Sequence, residues 1–475
     1  VRAGLLLLAL AANCRSYSDK LAEFRGHYLA GDFEGADRVV DRLIAKESGA
    51  SADAVARSNA LDVRAGKGDT YLLLLDKAMT RLALGQPPVA VELMRRARDE
   101  LEAHESKTAK EFFASVLTDD TARSYAGADY EHILVRVMLC LADLLVHSSQ
   151  TAGDAYAYAL QVGEKQQRIL ESPLGEDVGY KPREEYRRVG IGAYLQGVIL
   201  EATGARDGAA RAYERCVGYE PGFRLAEEAL ARTTEGRYAE KGEGVLHVFY
   251  LGGPGPFYAQ GTSPPTDLAF RIAQLAAALV ADSYVPLMQA DVPVPVLAVH
   301  APDVAPLQVS AGDRATATEM ILDVNLVAGQ QLEAMMPLIV ARAVVRRAVK
   351  GAATTVASES IQNNQKNKDQ QDLTEFGFAI ANLLWTSAER ADTRSWSSLP
   401  AQIQVARLPL AAGVHAVRFG PGMSAEVRIQ PGRDAYAVVI RPDPARPGAV
   451  LVDALSRPAE AGPEALPPIE RPPGG

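Results

Sequence analysis

The chain has 475 residues, a net charge of −9 at neutral pH, 48% apolar residues and only 6% aromatic ones. That length holds two or three domains with cores of their own. The acidic balance argues against a nucleic-acid partner, whose phosphates demand a basic face, and the sparse aromatic content argues against a base- or sugar-stacking platform.

Residues 1–14 read as a processing segment: Arg2 supplies a charge, Leu5 to Ala12 an apolar stretch, and Cys14 follows small residues. The run is shorter than the about 20 residues that cross a bilayer. Its pattern is that of a lipoprotein signal with Cys14 as the lipidated residue. Asn13 and Ala11 depart from the residues usual before such a cysteine, so an ordinary cleaved signal peptide stays open beside it. No later stretch is read as a membrane span, since 268–299 carries Arg271, Asp282 and several prolines.

Residues 15–240 read as helical hairpins. Leu21, Phe24 and Tyr28 form one apolar face, Gly31-Asp32 a turn, and Ala36, Val39, Val40 and Leu43 the answering face. The unit recurs around 72–101 with Gly85 at the turn, and around 193–216 with Gly204. A further pair at 130–146 and 155–169 is inserted, so the array is irregular and tetratricopeptide-like without a regular period of about 34 residues. Asp129 is expected to cap a helix that carries Glu131 in its first turn. Cys140 and Cys216 lie in apolar helical runs and are expected to be buried free thiols, with a disulfide as the alternative in an oxidising compartment.

Residues 241–452 read as a smaller mixed α+β domain, which makes the fold class α+β. Val245 to Tyr250 form a strand apolar on both faces. Gly252-Gly-Pro-Gly-Pro256 lacks the donors of a phosphate loop and is expected to be a surface loop. Val292–His300 reads as an edge strand because of its prolines. Ala328–Lys350 is an apolar helix with Arg342, Arg346, Arg347 and Lys350 near its end, where cations suit the helix dipole or a contact with lipid or an anionic polymer. A polar loop at 362–372 precedes a helix at 373–384. The chain then turns a corner through Asp392, Arg394, Trp396 and Pro400, because Pro400 lacks an N–H and pushes Leu399 into extended geometry. Ile403 and Val405 open a strand, followed by others at 414–419, 425–429 and 435–440. Residues 453–475 form a Pro-rich tail that need not be ordered. The corner admits two readings: a rigid helix-to-strand junction around Trp396, one of two tryptophans, or a ligand site on Asp392, Arg394 and Trp396.

The corner sequence ADTRSWSSLPAQIQVAR at 391–407 resembles the signature of a poorly characterised family of bacterial envelope lipoproteins with tetratricopeptide-like N-terminal halves. The resemblance runs from about Cys14 to Phe419 and includes Gly31-Asp32, Tyr125–Glu131, Gly255-Pro256 and the Arg342, Arg346, Lys350 set. It implies no defined activity. It does imply an outer-membrane lipoprotein facing the periplasm, since Arg15 is not the retaining Asp, and association with export or cell-wall machinery.

Catalytic signatures are missing. The seven histidines form no H-E-x-x-H, no G-x-S-x-G occurs, and Cys140 sits in too apolar a run for a reactive thiol. No cofactor or metal is implied. The resulting expectation is a lipid-anchored, non-enzymatic adaptor that holds envelope proteins in a helical groove. The alternatives are a carboxylate-dependent enzyme of cell-wall or polysaccharide metabolism, which needs Asp392 beside a second acid of raised pKa, and a structural subunit of an export complex.

Overall fold

The computed structural model describes residues 16–63, 69–105, 109–114, 125–149, 153–235, 238–281, 290–299, 304–362 and 390–458, with no side-chain description for 109, 110, 114, 235, 279–281 and 349–362. Cys14, the 373–384 helix and most of the tail lie outside the described residues.

The N-terminal half is helical: Tyr17–Lys20 (α1), Ala22–Leu29 (α2), Phe33–Ser48 (α3), Ala52–Arg57 (α4), Thr70–Ala83 (α5), Pro87–Ala103 (α6), Ala109–Ala114 (α7), Asp129–His147 (α8), Ala155–Leu170 (α9), Ile191–Ala202 (α10), Arg206–Tyr219 (α11) and Arg224–Glu235 (α12). The hairpin turns form as their sequences dictate. Gly31, Gly85 and Gly204 take φ of +74°, +77° and +79°, a left-handed geometry costly for other residues. Asp32 then caps α3 by accepting the Gly35 N–H at 2.8 Å. Ala36, Ala90 and Ala209 are fully buried where paired helices come close.

Charge also keys one hairpin to the next. Lys77 on α5 is fully buried, donates to Asp41 at 2.6 Å and forms an ion pair with Asp37 at 2.8 Å, and Arg81 meets Asp37 at 2.7 Å. Asp37 and Asp41 share one face of α3, as Lys77 and Arg81 share one face of α5, so the ladder admits one register.

The second half contributes Glu243–Pro254 (β1), Phe257–Ser263 (β2), Asp267–Ala281 (α13), Val292–Ala298 (β3), Gln308–Ala311 (β4), Arg314–Ala317 (β5), Glu319–Asp323 (β6), Val324–Gln362 (α14), Pro400–Ala411 (β7), Gly413–Phe419 (β8), Ser424–Ile429 (β9), Asp434–Arg441 (β10) and Ala449–Val452 (β11). The chain is thus α+β, a helical half followed by a sheet-containing one. The main sheet runs β11-β10-β1-β7-β6, with β1 parallel to β10 and antiparallel to β7. Phe249, Val405 and Val438 on one face enter the core of the helical half. Leu246, Val248 and Leu408 on the other face meet the small sheet β5-β4-β8-β9 through Val309, Val417 and Val427. Coverage on both sides explains why β1 is apolar throughout. A third core joins α13, α14 and β3, where β3 pairs with β2 in a two-stranded sheet.

Three expectations are corrected. Gly252 to Pro256 is no surface loop: Gly252, Gly253, Gly255 and Pro256 are buried. A Cβ on Gly255 would stand 2.1 Å from the Leu399 carbonyl oxygen, so glycine lets this turn pass directly beneath the corner. Asp129 is the first residue of α8 and Ala128 holds the cap position; Glu131 reaches back to accept the Ala128 N–H at 3.0 Å. Val324–Ala348 is, by length and composition, apolar enough to cross a membrane. On one face of it, Leu338, Ala341, Val344 and Val345 are buried against α13 and β3.

Two measurements check this packing. Gly255→Ala is expected to lower the free energy of unfolding by about 2 kcal/mol, read as a reduced urea midpoint, because the atom it meets is backbone. Cys140 and Cys216 are both free and buried, and burial pushes the Cys216 thiol up to about 12 and that of Cys140 upward as well. Both are expected to resist thiol reagents until denaturant is added; rapid labelling of either in the folded chain would contradict the packing.

Candidate functional site: an arginine-lined cleft beside the corner

The corner is held from the helical half by buried carboxylates. The Trp396 N–H donates to Glu131 Oε1 at 2.7 Å, and the Ser398 N–H and hydroxyl donate to Asp76 Oδ1 at 2.9 and 2.7 Å. The indole N–H of Trp396 reaches Ser398 Oγ at 2.9 Å, and the ring is fully buried. Tyr258 and Ser18 donate their N–H groups to Ser395 Oγ and Thr393 Oγ1. Burial raises Asp76 to about 7 despite the bonds from Ser398. Glu131 is raised too, burial outweighing the bonds from Trp396, Ala128 and its neighbouring tyrosines.

Arg394 faces the other way. Its guanidinium forks onto Asp392 at 2.9 and 2.7 Å and reaches Asp69 at 3.2 Å. Burial would raise the Asp392 carboxyl, but the charge and bonds of Arg394, with the charge of Arg342, hold it below the usual carboxylate range. A third of its side chain remains exposed.

Asp392 and Arg394 open onto a cleft of about 260 Å³ between the two halves of the chain. One wall is α14, which offers Gln331, Leu332, Met335, Ile339, Arg342 and Arg346. The entry to α8 supplies Tyr125 to Tyr130, the segment after α9 supplies Arg183 and Tyr186, and the two-stranded sheet β2-β3 supplies Tyr258, Pro293 and Pro295. Arg342 and Arg346 stand one turn apart on one helix face. Arg342 lies over the Phe112 ring at 4.7 Å and Arg394 over the Tyr125 ring at 5.3 Å.

Two residue sets far apart in the sequence thus share one cavity, Asp392 and Arg394 from the corner with Arg342 and Arg346 from α14. Trp396 and Pro400 do not line it. Trp396 is core, and Pro400 opens β7 opposite Pro254. The side chain of Lys350 lies outside the described residues. Arg183, Gln331, Arg390, Tyr186 and Tyr258 were missed by sequence reasoning, and none carries a spacing signal that would have marked it. Tyr125 lies in the 125–131 motif, which sequence reading assigned to helix entry.

Among the described residues the lining includes five arginines and three carboxylates, Glu105, Asp129 and Asp392. Arg183 forks onto Asp129 at 2.8 and 2.6 Å. Burial raises Glu105, but the bond from Lys165 at 2.6 Å and surrounding cations bring it below its ordinary value. Behind it, burial and the Lys165 charge lower His132 to about 4. Glu105 and Asp392, held ionised against cations, are poor proton donors at neutral pH, so the arrangement is better suited to holding a ligand than to acid–base chemistry. Among the described residues no group of three or more His, Cys, Asp and Glu side chains is placed to hold a metal.

The corner's electrostatics give a signed pH effect. The folded pKa of Asp76, about 7, lies above the unfolded carboxylate value of about 3.9. Its contribution to stability is therefore complete below the unfolded value and lost as pH rises through 7. Asp76→Asn cannot titrate. In urea unfolding between pH 5 and pH 8 the native chain is expected to lose roughly 2–3 kcal/mol relative to this variant. Parallel profiles would refute the assignment.

No protein-family model matches the chain, and no curated protein matches it. Among solved structures, the crystal structure of MamA protein aligns over 46% of this chain and 80% of its own, at 15% identity and a TM-score of 0.26. A similarity that low carries no argument about this protein.

Proposed function

We propose that the protein is a non-enzymatic adaptor of the cell envelope, tethered through lipid on Cys14, whose recognition site is the arginine-lined cleft. In this reading the helical hairpins are a tetratricopeptide-like scaffold that carries one wall of the cleft. The observation that supports it is the meeting of Arg342 and Arg346 with Asp392 and Arg394 in the lining of one 260 Å³ cavity. The tether and the envelope address rest on residues 1–15 and on the family resemblance. A protein-binding groove along the helices is less favoured, because the chain's own strands β1, β7 and β10 cover one face of the array. An enzyme working through Asp392 is also less favoured, since it needs a second acid of raised pKa in the cleft, and Glu105 is lowered.

The test has two parts. Inorganic phosphate is expected to raise the melting temperature of the native protein and not that of Arg342→Gln/Arg346→Gln; equal shifts would remove the cleft from the reading. In-cell crosslinking with mass spectrometry is expected to capture an envelope component that is lost both in Cys14→Ser and in the double arginine variant. Capture that survives the arginine changes would place recognition elsewhere.

A further inference from the structure

We propose that a second cavity beside the corner binds a carboxylate on a short apolar body, a medium-chain fatty acid being the simplest form. The cavity has a volume of about 290 Å³ and shares no described lining residue with the cleft. It lies where α2 of the helical half meets the turn after β1, the corner, and Pro442 after β10.

One glycine keeps it open. Ala22, Arg25, Gly26 and Leu29 line the cavity from α2; spaced at i, i+3, i+4 and i+7, they form a single helix face. Glycine inside a helix is destabilising relative to alanine, and no packing demands it here. A Cβ on Gly26 would meet nothing within 4 Å. The missing side chain therefore leaves free space in the middle of the face that borders the cavity.

A cation without a close partner sets the ligand's charge. Arg25 is the one charged side chain in the described lining. Its guanidinium lies over the Phe257 ring at 4.2 Å, and Nη2 donates to the Ser18 carbonyl at 2.7 Å and hydroxyl at 3.2 Å, which fixes it in place. Nη1 is buried and has no hydrogen-bond partner. Among the described residues no carboxylate stands within ion-pair distance of Arg25; the charges of Asp76 and Asp19 reach it from further off. Tyr28, also in the lining and 3% exposed, has a hydroxyl without a partner. Buried donors left unpaired are costly, and ligand oxygens would recover that cost. One cation and two unmet donors match a carboxylate, with its single charge and two oxygens. A phosphate monoester, with about −1.5 to −2 charges and three acceptor oxygens, asks for more than this lining offers.

The walls set the body. Leu29, Pro254, Phe257, Leu399 and Pro442 make the remainder of the lining mostly apolar. A volume of about 290 Å³ lies at the lower edge of small-molecule sites, which run from roughly 300 to 1,000 Å³. That suits a short chain and not an acyl chain of membrane length.

The experiment is calorimetric titration of the full chain with butyrate, hexanoate, octanoate and octanol, each below its micellar concentration. Octanoate is expected to bind one to one, and affinity to rise about three- to fourfold per added methylene along the acids. Octanol is expected to bind about tenfold more weakly than octanoate. Gly26→Leu, which favours the helix and fills the opening, is expected to abolish binding with an unchanged or raised urea midpoint. Arg25→Met is expected to bring octanoate down to the affinity of octanol and leave octanol unchanged. Excess inorganic phosphate is expected not to displace octanoate, so this site and the cleft stand or fall separately. Equal binding of octanoate and octanol by the native chain would overturn the carboxylate assignment. Native affinity in Gly26→Leu, or no binding of any acid, would overturn the site. Binding of acetyl-Ala-Leu with its free carboxylate, and of no fatty acid, would assign the cavity to a peptide terminus and overturn the fatty-acid form.

Discussion

The architecture depends on two carboxylates that hold a piece of backbone. Asp76 and Glu131 project from different helices and accept the N–H groups of Ser398 and Trp396. Buried amides must find partners, and a segment crossing from helix to sheet has no ladder of its own to supply them. By satisfying these amides, the helical half fixes where β7 begins. Because β7 pairs with β1 over almost its whole length, it also fixes the sheet. Trp396 fills the space beneath and closes the arrangement with its bond to Ser398.

The same segment serves two purposes that its sequence runs together. The corner changes environment along its length: Asp392 and Arg394 look into the cleft, while Trp396 and Ser398, further on, look into the core and to the acids. The junction reading and the ligand reading of this stretch are therefore readings of different residues. A rigid junction is also what a binding site needs, since Asp392 and Asp69 lock the Arg394 guanidinium in a fixed place.

Much of the fold was legible in particular residues. The turn glycines and the three- and four-residue spacing around Ala36, Ala90 and Ala209 marked the hairpins, because helix periodicity and left-handed turns are local properties. The apolar run from Val245 to Tyr250 announced a strand covered on both sides. The failures share one cause, dependence on distant chain. Gly255 needs no side chain because of the Leu399 carbonyl, and Asp129 is taken by Arg183 rather than by its own helix. The cleft was illegible as a whole: sequence singled out Arg342, Arg346, Asp392 and Arg394 one set at a time, but only tertiary packing joins them.

The order of strands in the main sheet has a cost during synthesis. Val245 in β1 finds Asp434 in β10, and Phe249 finds Val405 in β7, so the central strand waits for partners far along the chain. Helical hairpins formed from neighbours can assemble early, whereas these pairings are of high contact order and slow. In the interval, β1 is a ribbon apolar on both sides with unpaired edges, the sort of segment that sticks to other chains. The folded yield of a chain built this way is expected to depend on whether β7 and β10 reach β1 before another exposed edge does.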